Sequence, residues 1–195
     1  MNSSAVFSFA IYMAINAITP GPGNLLALNT VVRFGLKKGK NLLLGIFAGY
    51  YVVQIICASL VYGLDKFLNP AMSVMKYVGA VYILLLAVHI ARSKPDLTGE
   101  DKNPSFWTGF FLQFVNVKIY LFGITALTGY ILPFYSSFIA LLSAALLIAT
   151  VGTAATLTWV FLGGFFQKVY IRRYRIINIV LALALLECVI SLLML

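Results

Sequence analysis

Apolar residues form long uninterrupted runs along this chain, and short polar connectors separate the runs. A run of about 20 apolar residues, at roughly 1.5 Å per residue, spans a hydrocarbon core about 30 Å thick. Continuous apolarity favours helices over barrel strands, in which residues facing lipid and lumen alternate. The pattern predicts an all-α integral membrane protein with six transmembrane helices, at Ala5–Val32, Leu42–Gly63, Ala71–Ala91, Ser105–Leu132, Phe138–Phe165 and Ile176–Leu195.

The composition agrees with this prediction and adds no second domain. Hydrophobic residues make up 62% of the chain and charged residues 10%, whereas soluble domains are about 25% charged. No stretch remains for a soluble domain, so residues 1–195 are predicted to form a single transmembrane domain. The first apolar run has neither a basic residue before it nor a small-residue cleavage site after it. It is therefore predicted to be a retained helix rather than a signal peptide.

Basic residues alternate between successive connectors and so predict the orientation. They cluster after the first, third and fifth spans, whereas the remaining connectors and both termini hold few or none. Because basic connectors stay in the cytoplasm, both termini are predicted to be periplasmic. The net charge of +9 is then a topology signal that also attracts anionic membrane lipid, and no nucleic-acid partner is expected. The clusters are Arg33, Lys37, Lys38 and Lys40; Arg92, Lys94 and Lys102; and Lys168, Arg172, Arg173 and Arg175.

Six spans with both ends on the same side divide into two halves of three. Because three is odd, the second half enters the membrane from the opposite side, which is the geometry of an inverted repeat. The halves are predicted at about 1–92 and 104–195, joined by a linker at 93–103. Each half begins with a span that is interrupted near its middle, at Thr19–Asn24 and at Gln113–Lys118.

The interruption in the first span predicts a broken helix and a substrate-binding site. Its two prolines cannot continue a helix, and its two glycines allow a ligand to approach the backbone. A second helical segment beginning there presents unpaired amides at its positive end, where a substrate carboxylate is favoured. The alternative is a packing kink whose freed groups are met by protein. The stretch consists of Thr19, Pro20, Gly21, Pro22, Gly23 and Asn24.

Lys118 lies near the middle of the fourth predicted span, where a charged side chain costs about 2.5 to 3.5 kcal/mol. It needs a watery cavity or an acidic partner, and Glu187 is the one carboxyl within the predicted spans. Either Lys118 pairs with Glu187, or it meets a substrate carboxylate while Glu187 binds the ammonium or carries a coupling proton. Asn116 lies about 200° from Lys118 around a regular helix, so the helix is distorted or the two side chains face different directions.

Groups suited to catalysis or metal binding are scarce. His89 is the only histidine, and the spans hold neither paired aspartates nor an HExxH motif. No metal, cofactor or enzymatic activity is therefore expected. Cys57 and Cys188 lie inside predicted spans, where a small buried apolar role is expected.

Two kinds of transport protein fit these features. A carrier is favoured over a passive channel in which Lys118 sets anion selectivity.

Several motifs together resemble the lysine-exporter and homoserine-resistance (LysE/RhtB) superfamily of bacterial amino-acid exporters. They are ITPGPGNLLAL at 18–28, the glycines Gly35, Gly39, Gly45 and Gly49, MKYVGAVYILLLA at 75–87, and FWTGFFLQFVNVKIYLFG at 106–123. The forms QFVNVKI and NIVLALAL look most like the cysteine and O-acetylserine branch. The resemblance implies efflux of such small amino acids across the bacterial inner membrane, driven by the proton gradient. Substrates of the homoserine, threonine or lysine type are the alternative.

These observations predict a secondary exporter whose midplane site combines the TPGPGN stretch with Asn116 and Lys118, and in which Glu187 couples transport to protons. One departure affects this hypothesis. Most members of the superfamily have Asn-Pro-Lys in the fourth span, whereas this chain has Val117 at the centre. Because Val117 can keep its backbone hydrogen bond, a break in the fourth helix is less expected.

Gly45 and Gly49 form a face of small residues on the second predicted span, which permits close helix packing. Packing within the protomer is favoured over packing between protomers. The sequence leaves open whether the chain forms a homo-oligomer.

Overall fold

The computed structural model describes residue 1 and residues 3–63, 77, 80–81, 83–94 and 104–194. No strand occurs in these ranges, which confirms the all-α prediction. The described elements, in chain order, are α1 (Ser3–Ile18), α2 (Pro22–Gly63), α3 (Ile83–Arg92), α4 (Phe106–Val115), α5 (Val117–Ala126), a π-helix (Leu127–Ile131) and α6 (Phe138–Met194).

Two of the predicted basic connectors are sharp bends inside long helices rather than loops. In α2 the bend is at Gly35, whose φ of 76° and ψ of 167° glycine adopts without a Cβ clash. It falls between the first and second predicted spans. In α6 the bend is at Arg173, with φ −130° and ψ 28°, between the fifth and sixth predicted spans. A single non-helical residue is enough to redirect each helix.

Among the described residues, two helices are long and apolar enough to cross a membrane, Pro22–Gly63 and Phe138–Gly164. The pair Phe106–Val115 and Val117–Ile131 is bent by 58° and counts as a third if it forms one broken span. The arrangement of six spans in two repeats stays a prediction. Most of the predicted third span, the connector with Asp65 and Lys66, and residues 95–103 of the predicted linker lie outside the described residues.

The distribution of side chains suits a lipid environment. Large apolar residues cover the outside of the helices, among them Ile139 (76% exposed), Phe161 (69%) and Phe7 (67%). Soluble monomers rarely expose apolar surface so extensively. Polar side chains are instead buried between the helices, at Asn24, Asn29, Thr30, Gln54, Ser93, Gln113, Asn116, Thr156 and Asn178.

α2 packs most extensively against α6 and α4, and glycines allow its close crossing with α4. A Cβ at Gly45 would collide with the backbone carbonyl of Phe106, and a Cβ at Gly49 would lie 2.6 Å from that of Phe110. Gly109 of α4 completes the contact from the other side, against the carbonyl of Leu42. The crossing confirms that the small-residue face of α2 packs within the protomer.

Candidate functional site

The chain leaves helical geometry between α1 and α2, at the TPGPGN stretch. α1 ends at Ile18 and α2 begins at Pro22. The amide of Leu25, bonded to the carbonyl of Gly21 at 2.9 Å, makes the first helical hydrogen bond of α2. The amides of Gly23 and Asn24 come before this bond, so they have no acceptor within the helix.

Three side chains meet the carbonyls at the end of α1. Asn24 Nδ2 donates to Ala17 at 3.2 Å and to Thr19 at 3.3 Å. Trp159 Nε1 of α6 donates to the carbonyl of Ile18 at 3.1 Å. Lys118 Nζ donates to the carbonyls of Thr19 at 2.5 Å and Pro20 at 3.4 Å. The negative end of the α1 dipole is thus satisfied, whereas the positive end of α2 keeps unpaired donors.

The hydrogen-bond partners of Lys118 do not include Glu187, the acidic residue considered from the sequence. The side chain of Lys118 crosses from α5 to the helix break and is half-buried against Gly21, where a Cβ would lie 2.8 Å from Lys118 Cδ. Glu187 is an exposed residue of α6 and does not line the cavity between the breaks. Within the described residues, the ammonium of Lys118 therefore lies on backbone carbonyls, which carry the negative charge of a helix C-terminus.

A second break separates α4 from α5, although Val117 replaces the expected proline. Asn116 has φ −84° and ψ 83°, outside helical geometry, and the two helices meet at 58°. The amide of Ile119 bonds to the carbonyl of Asn116 at 3.1 Å and makes the first hydrogen bond of α5. The sequence left open whether the fourth helix is broken, and the structure shows the break although Val117 can keep its backbone hydrogen bond. The distortion also explains how Asn116 and Lys118 reach the same cavity.

Amide side chains connect the second break to the first. Asn116 Nδ2 donates to Gln113 Oε1 at 3.4 Å, and Gln113 Nε2 donates to the carbonyl of Gly109 at 3.3 Å. Gly23 lies against this pair, since a Cβ there would be 3.3 Å from Gln113 Oε1. Asn116 is 3% exposed, and its Oδ1 has no hydrogen-bond partner among the described residues. A buried acceptor without a partner is suited to a ligand donor.

Both breaks line one cavity of about 20 Å³. A space of this size holds about one water molecule, so a whole amino acid does not fit between the helices in this conformation. Of the predicted site residues, five line the cavity: Gly21, Gly23, Asn24, Asn116 and Lys118. Thr19 and Pro20 contribute carbonyls to Lys118, and Pro22 is buried at the start of α2.

The sequence did not assign several residues that complete the site. Tyr50, Gln113 and Thr156 line the cavity, and Trp159 caps α1 from outside it. Gln113 is the first residue of the QFVNVK interruption, and this position was the signal that could have assigned it to the site. Thr153, Thr156 and Trp159 recur at three-residue spacing in the fifth predicted span, but their facing direction depends on how α6 is rotated. The periodicity alone could not separate cavity residues from ordinary interhelical contacts.

Thr156 is expected to hold the first break in place. Its Oγ1 donates to Asn24 Oδ1 at 2.7 Å, and both residues are buried. Thr156→Val would leave the Asn24 oxygen unsatisfied, so we expect the free energy of unfolding to fall by about 1 to 3 kcal/mol. Thr150→Val is the matched control, because each variant loses a bond to a carbonyl four residues earlier in α6, but the bond of Thr150 across the helix pair, to Tyr51, is exposed. Thermal unfolding in detergent compares the two; equal midpoints would contradict the role of Thr156.

Known proteins similar to this chain are described as translocators and efflux proteins. The family model of the LysE type translocator matches residues 14–194. The chain is 39% identical over 189 residues to a cysteine/O-acetylserine efflux protein of Klebsiella pneumoniae subsp. pneumoniae, with 96% of each chain covered. Efflux proteins of the same description from Escherichia coli, strains K12 and O139:H28, are 36% identical, covering 96% of this chain and 97% of theirs. No solved structure matches the chain.

Proposed function

The chain belongs to the family of LysE type translocators, and we propose that it exports small amino acids across the bacterial inner membrane. Cysteine and O-acetylserine are the favoured substrates, because relatives similar over nearly the whole chain are described as their efflux proteins. Homoserine, threonine and lysine are the alternatives. The observation that carries the proposal is that two helix breaks meet at one cavity, with the ammonium of Lys118 between them.

The substrate carboxylate is assigned to the start of α2. The amides of Gly23 and Asn24 lie at the positive end of this helix and have no acceptor within it. Lys118 is anchored on carbonyls just before these amides, so its charge lies at the same place. Amide donors and a cation together recognise a carboxylate, and Gly23 leaves room for its close approach.

The substrate ammonium is assigned to Asn116. Its Oδ1 is a buried acceptor without a partner in the described part of the chain, and Asn116 lines the cavity. An ammonium group offers the hydrogen-bond donors that this oxygen lacks. The site then contacts both charged groups that every α-amino acid shares. The substrate side chain would meet Tyr50 and Phe122, which also line the cavity.

Transport requires the lining of this cavity to separate, because its present volume of about 20 Å³ is too small for an amino acid. We assign this conformation to an occluded state. In each proposed half, a broken helix precedes two further spans, which supports an inverted repeat whose halves rock around the site. This arrangement has six spans, with both termini periplasmic and the bends at Gly35 and Arg173 cytoplasmic.

Reconstitution into liposomes tests the proposal. Protein in vesicles loaded with cysteine, O-acetylserine, homoserine, threonine or lysine should release the first two amino acids faster than protein-free vesicles. A carrier gives saturable release that depends on a gradient, whereas a passive anion channel gives release proportional to concentration. Release of none of the five substrates would contradict the proposed function, and non-saturable anion flux would favour the channel.

Proton coupling is the finer part of the proposal and is assigned to Glu187. It is the one acid within the predicted spans, and it lies next to Cys188 on α6, exposed on the helix surface. Glu187→Gln keeps the shape of the side chain and removes its titration. We expect the variant to lose the acceleration of transport by a proton gradient, about tenfold, while substrate exchange without a gradient continues. Full gradient-driven transport by Glu187→Gln would reject this role.

A further inference from the structure

A second, larger cavity of about 460 Å³ lies between α2, α3 and α4. It is displaced from the first cavity in one direction along two helices. Ile46 and Gln113 line the first cavity, whereas Leu42 and Thr108 of the same helices line the second. The displacement of four to five residues corresponds to about 6 to 8 Å of helix. It leads toward the basic ends of the helices, which are predicted to be cytoplasmic.

The polar lining of the second cavity is rich in hydrogen-bond donors. Asn29 is 4% exposed, and its Nδ2 is buried with no hydrogen-bond partner among the described residues. Arg33 brings a guanidinium to the cavity, and α4 begins there with Ser105 as its N-cap. No acidic residue lines the cavity in the described part of the chain. A guanidinium, an amide donor and a helix N-terminus together favour an anionic group.

We propose that this cavity is a second binding site, which takes the carboxylate of the exported amino acid from the cytoplasm before it reaches the midplane. The inference rests on the proposed export function. The volume of the second cavity accommodates a whole small amino acid, whereas that of the cavity between the helix breaks does not. Asn24 lines the first cavity and Asn29, five residues further along α2, lines the second, so the proposed path of the carboxylate runs along this helix. A lipid phosphate is the other anion that could reach donors at this depth.

The first test uses transport kinetics in inside-out vesicles, whose outer face is the cytoplasmic one. Asn29→Asp places a negative charge among the donors and should raise the half-saturation concentration for cysteine about tenfold, with the maximal rate within about twofold of wild type. Leu36→Asp is the matched control: it adds the same charge to the same helix at an exposed position that does not line the cavity. Equal half-saturation concentrations for the two variants would overturn the proposal.

The second test does not depend on Asn29→Asp folding. With Cys57 and Cys188 replaced by Ala, Thr108→Cys places a thiol at the cavity, and its rate of modification by an anionic thiol reagent is measured from the cytoplasmic face. O-acetylserine should slow this modification at least about threefold, but should not protect a thiol placed by Leu36→Cys. Protection should persist when Lys118→Met disables the midplane site.

The possible results distinguish failure of the second site from failure of the proposed export function. Absence of protection while wild-type protein transports would overturn the second site and leave the exporter intact. Protection by phosphatidylglycerol in the vesicle, but not by O-acetylserine, would assign the cavity to lipid and also overturn the proposal. Protection in a protein that exports none of the tested amino acids would support the site and contradict the exporter.

Discussion

Lys118→Met is expected to abolish export while leaving membrane insertion intact. Methionine keeps an unbranched stem that packs against Gly21, and it removes only the ammonium that bonds to the carbonyls of Thr19 and Pro20. A hydrogen bond from a charged group contributes about 1.5 to 3 kcal/mol, and about 1.4 kcal/mol changes an affinity tenfold. Losing the cation that meets the substrate carboxylate should therefore lower transport about 10- to 100-fold, to the level of protein-free vesicles.

The measurement is initial cysteine release from vesicles that contain equal amounts of folded protein. Lys40→Met serves as the control, because Lys40 is an exposed basic residue of α2 outside both cavities. It should keep its rate within about twofold of wild type, since exposed charges contribute little. Lys118→Ala should behave as Lys118→Met does. Wild-type export by either variant would remove Lys118 from the mechanism.

Gly45→Ala is expected to cause the largest loss of stability. The added Cβ would collide with the backbone carbonyl of Phe106 and lie 3.0 Å from the amide of Phe110. Backbone atoms cannot rotate away as a side chain does, so α2 and α4 must separate. Overpacking of this kind costs about 1 to 3 kcal/mol and occasionally more, and we expect about 3 kcal/mol. For a chain of this length the unfolding midpoint should fall by about 6 to 12 °C.

Gly63→Ala provides the matched control on the same helix. A Cβ at Gly63 meets nothing within 4 Å, and alanine is the better helix former. Its unfolding midpoint in detergent should equal or slightly exceed that of wild type. Equal midpoints for the Gly45 and Gly63 variants would show that the α2–α4 crossing tolerates separation.

The position of the first helix break follows from local chemistry and could be predicted from the sequence. Prolines at 20 and 22 remove backbone donors and clash with the preceding turn whatever surrounds them. α1 accordingly ends at Ile18 and α2 begins at Pro22. The cost of a charge in hydrocarbon likewise predicted that Lys118 would find polar partners. Neither argument needs the location of any other helix.

The sequence marked an interruption at Gln113–Lys118, but it could not decide whether the fourth helix breaks there. Val117 allows a continuous helix, yet the chain bends at Asn116. On one side of the bend, Gly109 fixes α4 closely against α2. On the other side, Gln54 of α2 donates to the carbonyl of Ile119 at 2.8 Å and lies against Gly123 of α5. Packing of α4 and α5 on the same neighbouring helix accompanies the change of direction between them.

The sequence by itself determined an all-helical membrane protein, a break at TPGPGN and a midspan lysine in need of polar partners, since these follow from hydrophobicity, proline geometry and the cost of burying charge. Only the tertiary structure decided that Lys118 lies on the carbonyls of Thr19 and Pro20 rather than on Glu187. It also placed Gln113 and Thr156 at the same cavity. These contacts depend on the crossing and rotation of helices far apart in sequence, which a pattern along one chain does not encode.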